Sequence, residues 1–149
     1  MAVKRIFADP SLAIAALGIG REQLAYDLNT FGFMFENLVA RDLSVYASSI
    51  GGYLRHYRDR GGLECDHVIH FDNDKYGLIQ TKLGYADLEQ AEEKLLELKR
   101  LILEKNKELK KKKQKPMKEP TFLMIIYGGD MAFTTKNGIL VVPIGCLKD

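Results

Sequence analysis

The stretch from Glu64 to Lys82, ECDHVIHFDNDKYGLIQTK, is the most informative part of the chain about its architecture. Apolar and polar residues alternate on both sides of the turn-rich residues 72–75, a pattern that predicts two short strands joined as a hairpin. Asp66 interrupts the first apolar strand, and Gln80 and Lys82 interrupt the second. The pattern is therefore compatible with a functional site at the strand ends, and also with two edge strands that have polar solvent faces.

Side chains two residues apart on a strand share a face, and this spacing predicts which residues meet. One face of the first strand is expected to carry Glu64, Asp66, Val68 and His70. One face of the second strand is expected to carry Leu78, Gln80 and Lys82. We therefore expect Asp66, Gln80 and Lys82 to come together. An acid, an amide and an ammonium group are suited to hold a metal ion and to contact a phosphate.

Asp66, followed after a gap by Gln80-Thr81-Lys82, resembles the PD-(D/E)XK nuclease signature, with glutamine where that family usually has glutamate. Four segments resemble, in order and spacing, the C-terminal domain of unknown function carried by many prokaryotic AAA-type ATPases. They are GFMFENLVARDL, HYRDRGGLECDHVIHF, YGLIQTKLG and GILVVPIGCLKD. The resemblance extends from about Asp9 to the C-terminus.

This resemblance implies an α/β fold, a three-layer sandwich of the restriction-endonuclease-like type with a central mixed sheet. It implies a nuclease domain that hydrolyses phosphodiester bonds in DNA or RNA with Mg²⁺ or Mn²⁺. The implied catalytic residues are Asp66, Gln80, Lys82 and Glu36, of which Asp66, Gln80 and Glu36 would hold the metal. It also implies that residues 1–149 form one domain of a longer ATPase, with residues 1–30 as a helical lead-in.

Gln80 departs from the family pattern and leaves a second function open. A neutral amide oxygen gives the site less negative charge than a glutamate would, although Glu64, on the face of Asp66, would replace part of it. The alternative is a catalytically degenerate nuclease-like module that binds nucleic acid or protein beside the ATPase domain. A metal site formed by His67 and His70 is disfavoured, because residues three apart on a regular strand face opposite sides.

The N-terminal half of the sequence predicts three helices. Asp9-Pro10 is typical of a helix start, and Gly18 of a helix end, so residues 11–17 are expected to form a short helix. Further helices are predicted over residues 21–28 and from Phe31 to about Ala47, the last capped by Asn29 or Thr30. Glu36 lies beside the apolar stripe of that helix, where it either reaches water or an arginine such as Arg41, or faces the catalytic site.

The rest of the chain predicts strands around one long helix. Residues 53–58 alternate as a strand, and Leu88, Ala91, Leu95, Leu98 and Ile102 mark the buried stripe of a helix that ends near Lys111. Residues 121–127 form an apolar run typical of a strand covered on both faces, and a parallel crossover is expected. Residues 131–135 and 139–142 are predicted to form a closing hairpin.

Positive charge is concentrated in two places, although the net charge is only +2. Arg58, with Arg55, His56 and Arg60, suits phosphate binding through guanidinium groups, although such arginines more often form a solvated strand face. The run between Lys105 and Lys118 is compatible with contact to a phosphate backbone, although such a run is more often a solvated helix end. The candidate nucleic-acid-binding residues are Arg58, Lys110, Lys111, Lys112 and Lys113.

Composition and the spacing of the cysteines add three expectations. The hydrophobic content of 46% and the charged content of 28% are typical of a globular protein, and no apolar stretch reaches the length needed to cross a membrane. A cytoplasmic location is expected. Cys65 and Cys146 have no metal-binding spacing and are expected to be buried thiols.

Overall fold

The computed structural model describes residues 5–147, in which four α-helices and six strands form an α/β fold. The helices are α1 Pro10–Leu17, α2 Arg21–Tyr26, α3 Leu28–Ser49 and α4 Leu88–Lys111. The strands are β1 Gly52–Arg58, β2 Glu64–Phe71, β3 Tyr76–Lys82, β4 Phe122–Tyr127, β5 Phe133–Thr134 and β6 Leu140–Pro143. Short 3-10 turns lie at Tyr85–Asp87 and Ile144–Cys146.

The strands form one open, mixed sheet in the order β1-β2-β3-β4-β6-β5. β1, β2 and β3 pair antiparallel, whereas β3 pairs with β4, and β4 with β6, in parallel. α4 is the crossover between the parallel neighbours β3 and β4, as the sequence predicts. The C-terminal hairpin is also confirmed, since β5 and β6 pair antiparallel.

Helices pack on both faces of the sheet and bury a separate apolar core on each. On one face the core combines α3 with alternate residues of the central strands: Phe35, Val39, Leu43, Ile69, Ile79 and Ile126. On the other face it combines α4 with the intervening residues: Ala91, Leu95, Leu98, Val68, Leu78 and Ile125. The predicted stripe of α4 is thus confirmed.

The start of α3 differs from the sequence prediction. Asp27, rather than Asn29 or Thr30, caps the helix by accepting the backbone N–H of Thr30 at 3.1 Å. The Thr30 hydroxyl donates to the other Asp27 oxygen at 2.6 Å, so Thr30 supports the cap from inside the helix. Aspartate and threonine are both good N-cap residues. The two contacts made by the Asp27 carboxylate show that Asp27 is the N-cap of α3.

A bulge in β2 changes which face each of its residues occupies. Arg55 pairs with Val68 and Tyr57 pairs with Cys65, so two steps along β1 correspond to three along β2. The extra residue breaks the alternation of side chains. Cys65 consequently lies in the same core as Val68, on the α4 face, and Asp66 lies towards α3. The prediction that Asp66 shares a face with Val68 and His70 is wrong for this reason.

The cysteine prediction holds for one residue only. Cys65 is buried in the α4-side core, whereas Cys146 lies exposed in the last 3-10 turn, and both are free thiols. Among the helices of residues 5–147, none combines the length and apolar character required to cross a membrane.

Candidate functional site

A cavity of about 1030 Å³ lies between α3, β1 and the beginning of β2. Glu36 reaches it from α3, and Glu64 and Asp66 reach it from β2. Arg5, Arg58 and Arg60 line it with positive charge, and His56 lines it as well. The structure therefore brings two of the four predicted catalytic residues, Glu36 and Asp66, to one cavity, and both are half-buried there.

Asp66 lies where β2 and β3 separate. The ladder between these strands ends at the pair of His67 and Ile79. One step beyond, the Asp66 carboxylate accepts the backbone N–H of Thr81 at 2.8 Å. The side chain thus supplies the acceptor that a regular ladder would take from the backbone.

Gln80 forms the second tie at the same place. Its side chain is only 1% exposed, and its amide Nε2 donates to the backbone carbonyl of Glu64 at 2.8 Å. Gln80 and Asp66 therefore join β2 to β3 by side-chain hydrogen bonds after the backbone ladder has ended. The residue beside them, Thr81, adds a contact of 3.1 Å between its hydroxyl and Nε2 of the buried His67.

Lys82 lies on the α4 side of the sheet. Its Nζ contacts Oε1 of Gln90, near the start of α4, at 3.2 Å. Leu78, which shares its face, belongs to the α4-side core. Asp66 and Lys82 are thus directed to opposite faces, and the expected shared face of Asp66, Gln80 and Lys82 is not observed. The bulge in β2 is the physical reason.

The oxygen-bearing side chains that line the cavity indicate how well it suits a metal ion. Magnesium prefers oxygen ligands and retains several waters, so the carboxylates of Glu36 and Asp66 are suitable in type. Within residues 5–147, however, no group of three or more His, Cys, Asp or Glu side chains has an arrangement that would hold a metal. Any ion in the cavity would therefore depend on one or two of the lining carboxylates and on water.

Two of the arginines, Arg58 and Arg41, are already paired with acids. Arg58 pairs with Glu64 at 3.5 Å, and both side chains remain partly exposed. Arg41, which the sequence suggests as a partner for Glu36, pairs with Asp9 and Asp42. Exposed pairs of this kind contribute about 0–1 kcal/mol, so Arg58 remains available to other anions.

The lysine-rich end of α4 and the loop that follows it, residues 105–118, are exposed but anchored. Each lysine in this segment is exposed, and Lys113 adopts a positive φ of 55° where the helix gives way to a loop. The buried Asn106 holds this loop, because it accepts the N–H of Met117 at 2.7 Å and donates to the Met117 carbonyl at 2.8 Å. The lysines at 110–113 therefore lie where α4 meets a loop that is tied back to the helix.

Sequence reasoning does not identify Asn106, although a signal is present. Asn106 follows Ile102 by one helical turn, so it continues the apolar stripe of α4 with a polar residue. A polar side chain in a buried register needs partners, and here they come from the loop that returns to β4. Asn37 has the same role on α3, where it exchanges two hydrogen bonds with the backbone of Phe7.

Comparisons with known proteins identify a family and no characterised relative. A search of curated proteins found no match to this chain. A search of solved structures found none either. A family model described as a domain of unknown function, DUF4143, matches residues 31–147, which include most of α3, the whole sheet and α4. The chain therefore belongs to the DUF4143 family of domains of unknown function.

Proposed function

We propose that this DUF4143 domain is a nuclease-like module of the PD-(D/E)XK type that binds nucleic acid without cutting it. One observation carries the proposal. Gln80, which stands where the nuclease signature has a metal-binding glutamate, is 1% exposed and donates to the Glu64 carbonyl. The amide nitrogen used in this way stabilises the sheet, and a side chain that is 1% exposed offers almost no surface to a phosphate.

The order of elements supports the nuclease-like assignment. From α3 to β4 the chain runs through one helix, three antiparallel strands, a crossover helix and a parallel strand. This is the arrangement implied by the sequence resemblance to PD-(D/E)XK proteins. The same resemblance supports an AAA-type ATPase domain in the parent protein as the partner of this module. Fold similarity supports an activity less strongly than it supports an architecture.

The lysine-rich end of α4 supports nucleic acid as the ligand. Each lysine at 110–113 is exposed, and the flanking Lys107 and Lys115 are exposed as well. Such a cluster attracts the phosphate backbone independently of base sequence, because binding releases condensed counterions. The anchoring of the loop by Asn106 lowers the entropic cost of presenting these charges.

The test is the affinity for fluorescent oligonucleotides, measured by anisotropy at several salt concentrations. Replacement of the four lysines at 110–113 by glutamine should weaken binding of every sequence. The slope of log affinity against log salt should fall by about 0.7–0.9 for each lysine–phosphate interaction that the substitutions remove. Lys136→Gln, which removes an exposed lysine from the β5–β6 turn, is the control. Equal affinity and slope in the wild type and the quadruple variant would refute the role of this cluster.

A second candidate, a Mg²⁺-dependent nuclease, is favoured by the presence of Glu36 and Asp66 in one cavity. Bound Mg²⁺ would supply charge neutralisation and an acidified water. Glu36 and Asp66 would hold it through carboxylate oxygens, and Lys82 would have to leave Gln90 to reach the phosphate. Cleavage of an oligonucleotide with Mg²⁺ or Mn²⁺, abolished by both Glu36→Gln and Asp66→Asn in folded protein, would establish this function.

A further inference from the structure

Three rings form a continuous stack across the first three strands of the sheet. Tyr53 on β1 and His70 on β2 are paired residues, with ring centroids 5.4 Å apart and planes inclined by 11°. His70 and Tyr76 on β3 are also paired, with centroids 5.6 Å apart and planes inclined by 21°. We name Tyr53, His70 and Tyr76 the aromatic stripe.

The aromatic stripe lies on the α4 face of the sheet but extends beyond the part that α4 covers. His70 alternates with Val68, and Tyr76 packs against the core that contains α4. α4 packs on β2, β3 and β4, whereas β1 packs mainly against α3 on the opposite face. Tyr53 is accordingly 46% exposed, and His70 and Tyr76 are half-buried. The stripe therefore runs from Tyr76, which packs against the α4-side core, to Tyr53, which is exposed to solvent.

Cationic groups lie at both ends of the aromatic stripe. At the β1 end, the guanidinium carbon of Arg55 is 4.8 Å from the centroid of the Tyr53 ring. At the β3 end, the Tyr76 hydroxyl donates to the backbone carbonyl of Lys118 at 2.7 Å. Lys118 Nζ in turn contacts the β2–β3 turn at the Asn73 carbonyl, 2.9 Å away. Lys118, at the end of the lysine-rich segment, thus contacts the β3 end of the stripe, and its Nζ also pairs with Asp74 at 3.3 Å.

We infer that the aromatic stripe is a stacking platform for single-stranded nucleic acid, an inference that rests on the proposed nucleic-acid-binding function. Non-specific single-strand sites combine aromatic side chains, on which bases stack, with cations that follow the backbone. His70 stacks on the Tyr53 ring and the Arg55 guanidinium lies over that ring, so a base would stack on the guanidinium plane that Tyr53 supports. The lysines at 110–113 offer charge to the phosphates.

This arrangement distinguishes single strands from duplexes. The bases of a duplex are already stacked on one another and paired, so they gain nothing from Tyr53. Phosphates of either form interact with lysines. The aromatic stripe should therefore add affinity for single strands only, whereas the lysines should add affinity for both.

The experiment compares a labelled oligothymidylate with a duplex of the same length in the full chain. Tyr53→Leu keeps an apolar side chain and removes the ring, and should weaken single-strand binding by roughly tenfold or more with duplex binding unchanged. Tyr53→Phe should retain the wild-type affinity. Tyr26→Leu, at a tyrosine that is 91% exposed on α2, is the control and should change neither affinity.

The outcomes separate the inference from the proposed function. Single-strand affinity that is equal in wild type and Tyr53→Leu, together with weaker binding by the lysine variant, would overturn the stacking platform alone. Absence of binding by the wild type to either oligonucleotide would overturn both proposals. Thermal melts of the Tyr53 variants exclude loss of fold as the cause, since Tyr53 lies on the edge strand β1 and losing its ring contacts should lower the melting temperature only slightly.

Discussion

The amide of Gln80 donates to the backbone carbonyl of Glu64 at 2.8 Å, immediately beyond the last paired residues of β2 and β3. Asp66 makes the complementary contact by accepting the N–H of Thr81 at 2.8 Å. Gln80 and Asp66, two positions of the nuclease signature, thereby connect β2 to β3. The position of Gln80 requires a donor, and glutamine supplies an N–H group that glutamate lacks.

Gln80→Glu should therefore destabilise the domain. The substitution leaves the Glu64 carbonyl without its donor, at a cost of about 1–3 kcal/mol, and it places a carboxylate where the side chain is 1% exposed. Urea unfolding measures the change. Gln23→Glu is the control, because Gln23 accepts the Gly20 N–H through Oε1 and a glutamate preserves that contact. Unchanged stability combined with tighter Mg²⁺ binding would favour the nuclease candidate instead.

Gly77→Ala should destabilise the sheet through a steric clash. A Cβ at residue 77 would lie 2.1 Å from Cζ of Phe122, the residue that pairs with Gly77 from β4. Overpacking of this kind costs about 1–3 kcal/mol. Thermal or urea unfolding gives the value. Gly84→Ala, where an added Cβ meets no atom within 4 Å, should leave stability nearly unchanged, and equal effects of the two substitutions would contradict the prediction.

Asn106→Ala should loosen the lysine-rich loop. It removes both hydrogen bonds to the Met117 backbone and leaves those groups without this partner, which costs about 1–3 kcal/mol. Hydrogen exchange at Met117 should accelerate, and oligonucleotide affinity should fall although every lysine remains. Asn29→Ala, at an exposed residue in the first turn of α3, is the control. Unchanged exchange at Met117 would show that Asn106 does not anchor the loop.

Asp9 should contribute an acid-sensitive part of the stability. Hydrogen bonds from the side chain and backbone of Ser11, and then from Arg41, lower the pKa of Asp9 from 3.8 to about 2. Because the folded-state pKa is depressed, the contribution is fully present above about pH 3.8 and is lost as the pH falls through about 2. Asp9→Asn keeps a good N-cap and removes the charge. Its melting temperature should lie below that of the wild type near neutral pH and should converge with it near pH 2; a constant difference would contradict the prediction.

Much of the fold follows from local sequence patterns. The stripe from Leu88 to Ile102 predicts α4, and the turn residues 72–75 predict the β2–β3 hairpin, because periodicity reports burial directly. The parallel crossover follows from the apolar run that forms β4. These features depend on residues close together in the chain.

The geometry of the candidate site depends on a feature that the pattern does not reveal. The bulge opposite Arg55 and Tyr57 directs Asp66 towards α3 and leaves Lys82 facing α4. Strict alternation in ECDHVIHF predicts the opposite, since no glycine or proline within it indicates an irregularity. The aromatic stripe is hidden in the sequence for a related reason, because its three residues meet only through cross-strand pairing.

The most direct test of binding without cleavage combines two readouts on one sample. A labelled single-stranded oligonucleotide is incubated with the purified chain and Mg²⁺ or Mn²⁺, its anisotropy is recorded, and its length is then analysed. We predict a salt-sensitive rise in anisotropy with the oligonucleotide intact, and the same intact product with Asp66→Asn. Shortened products formed by the wild type and absent with folded Asp66→Asn would contradict binding without cleavage and establish the domain as a nuclease.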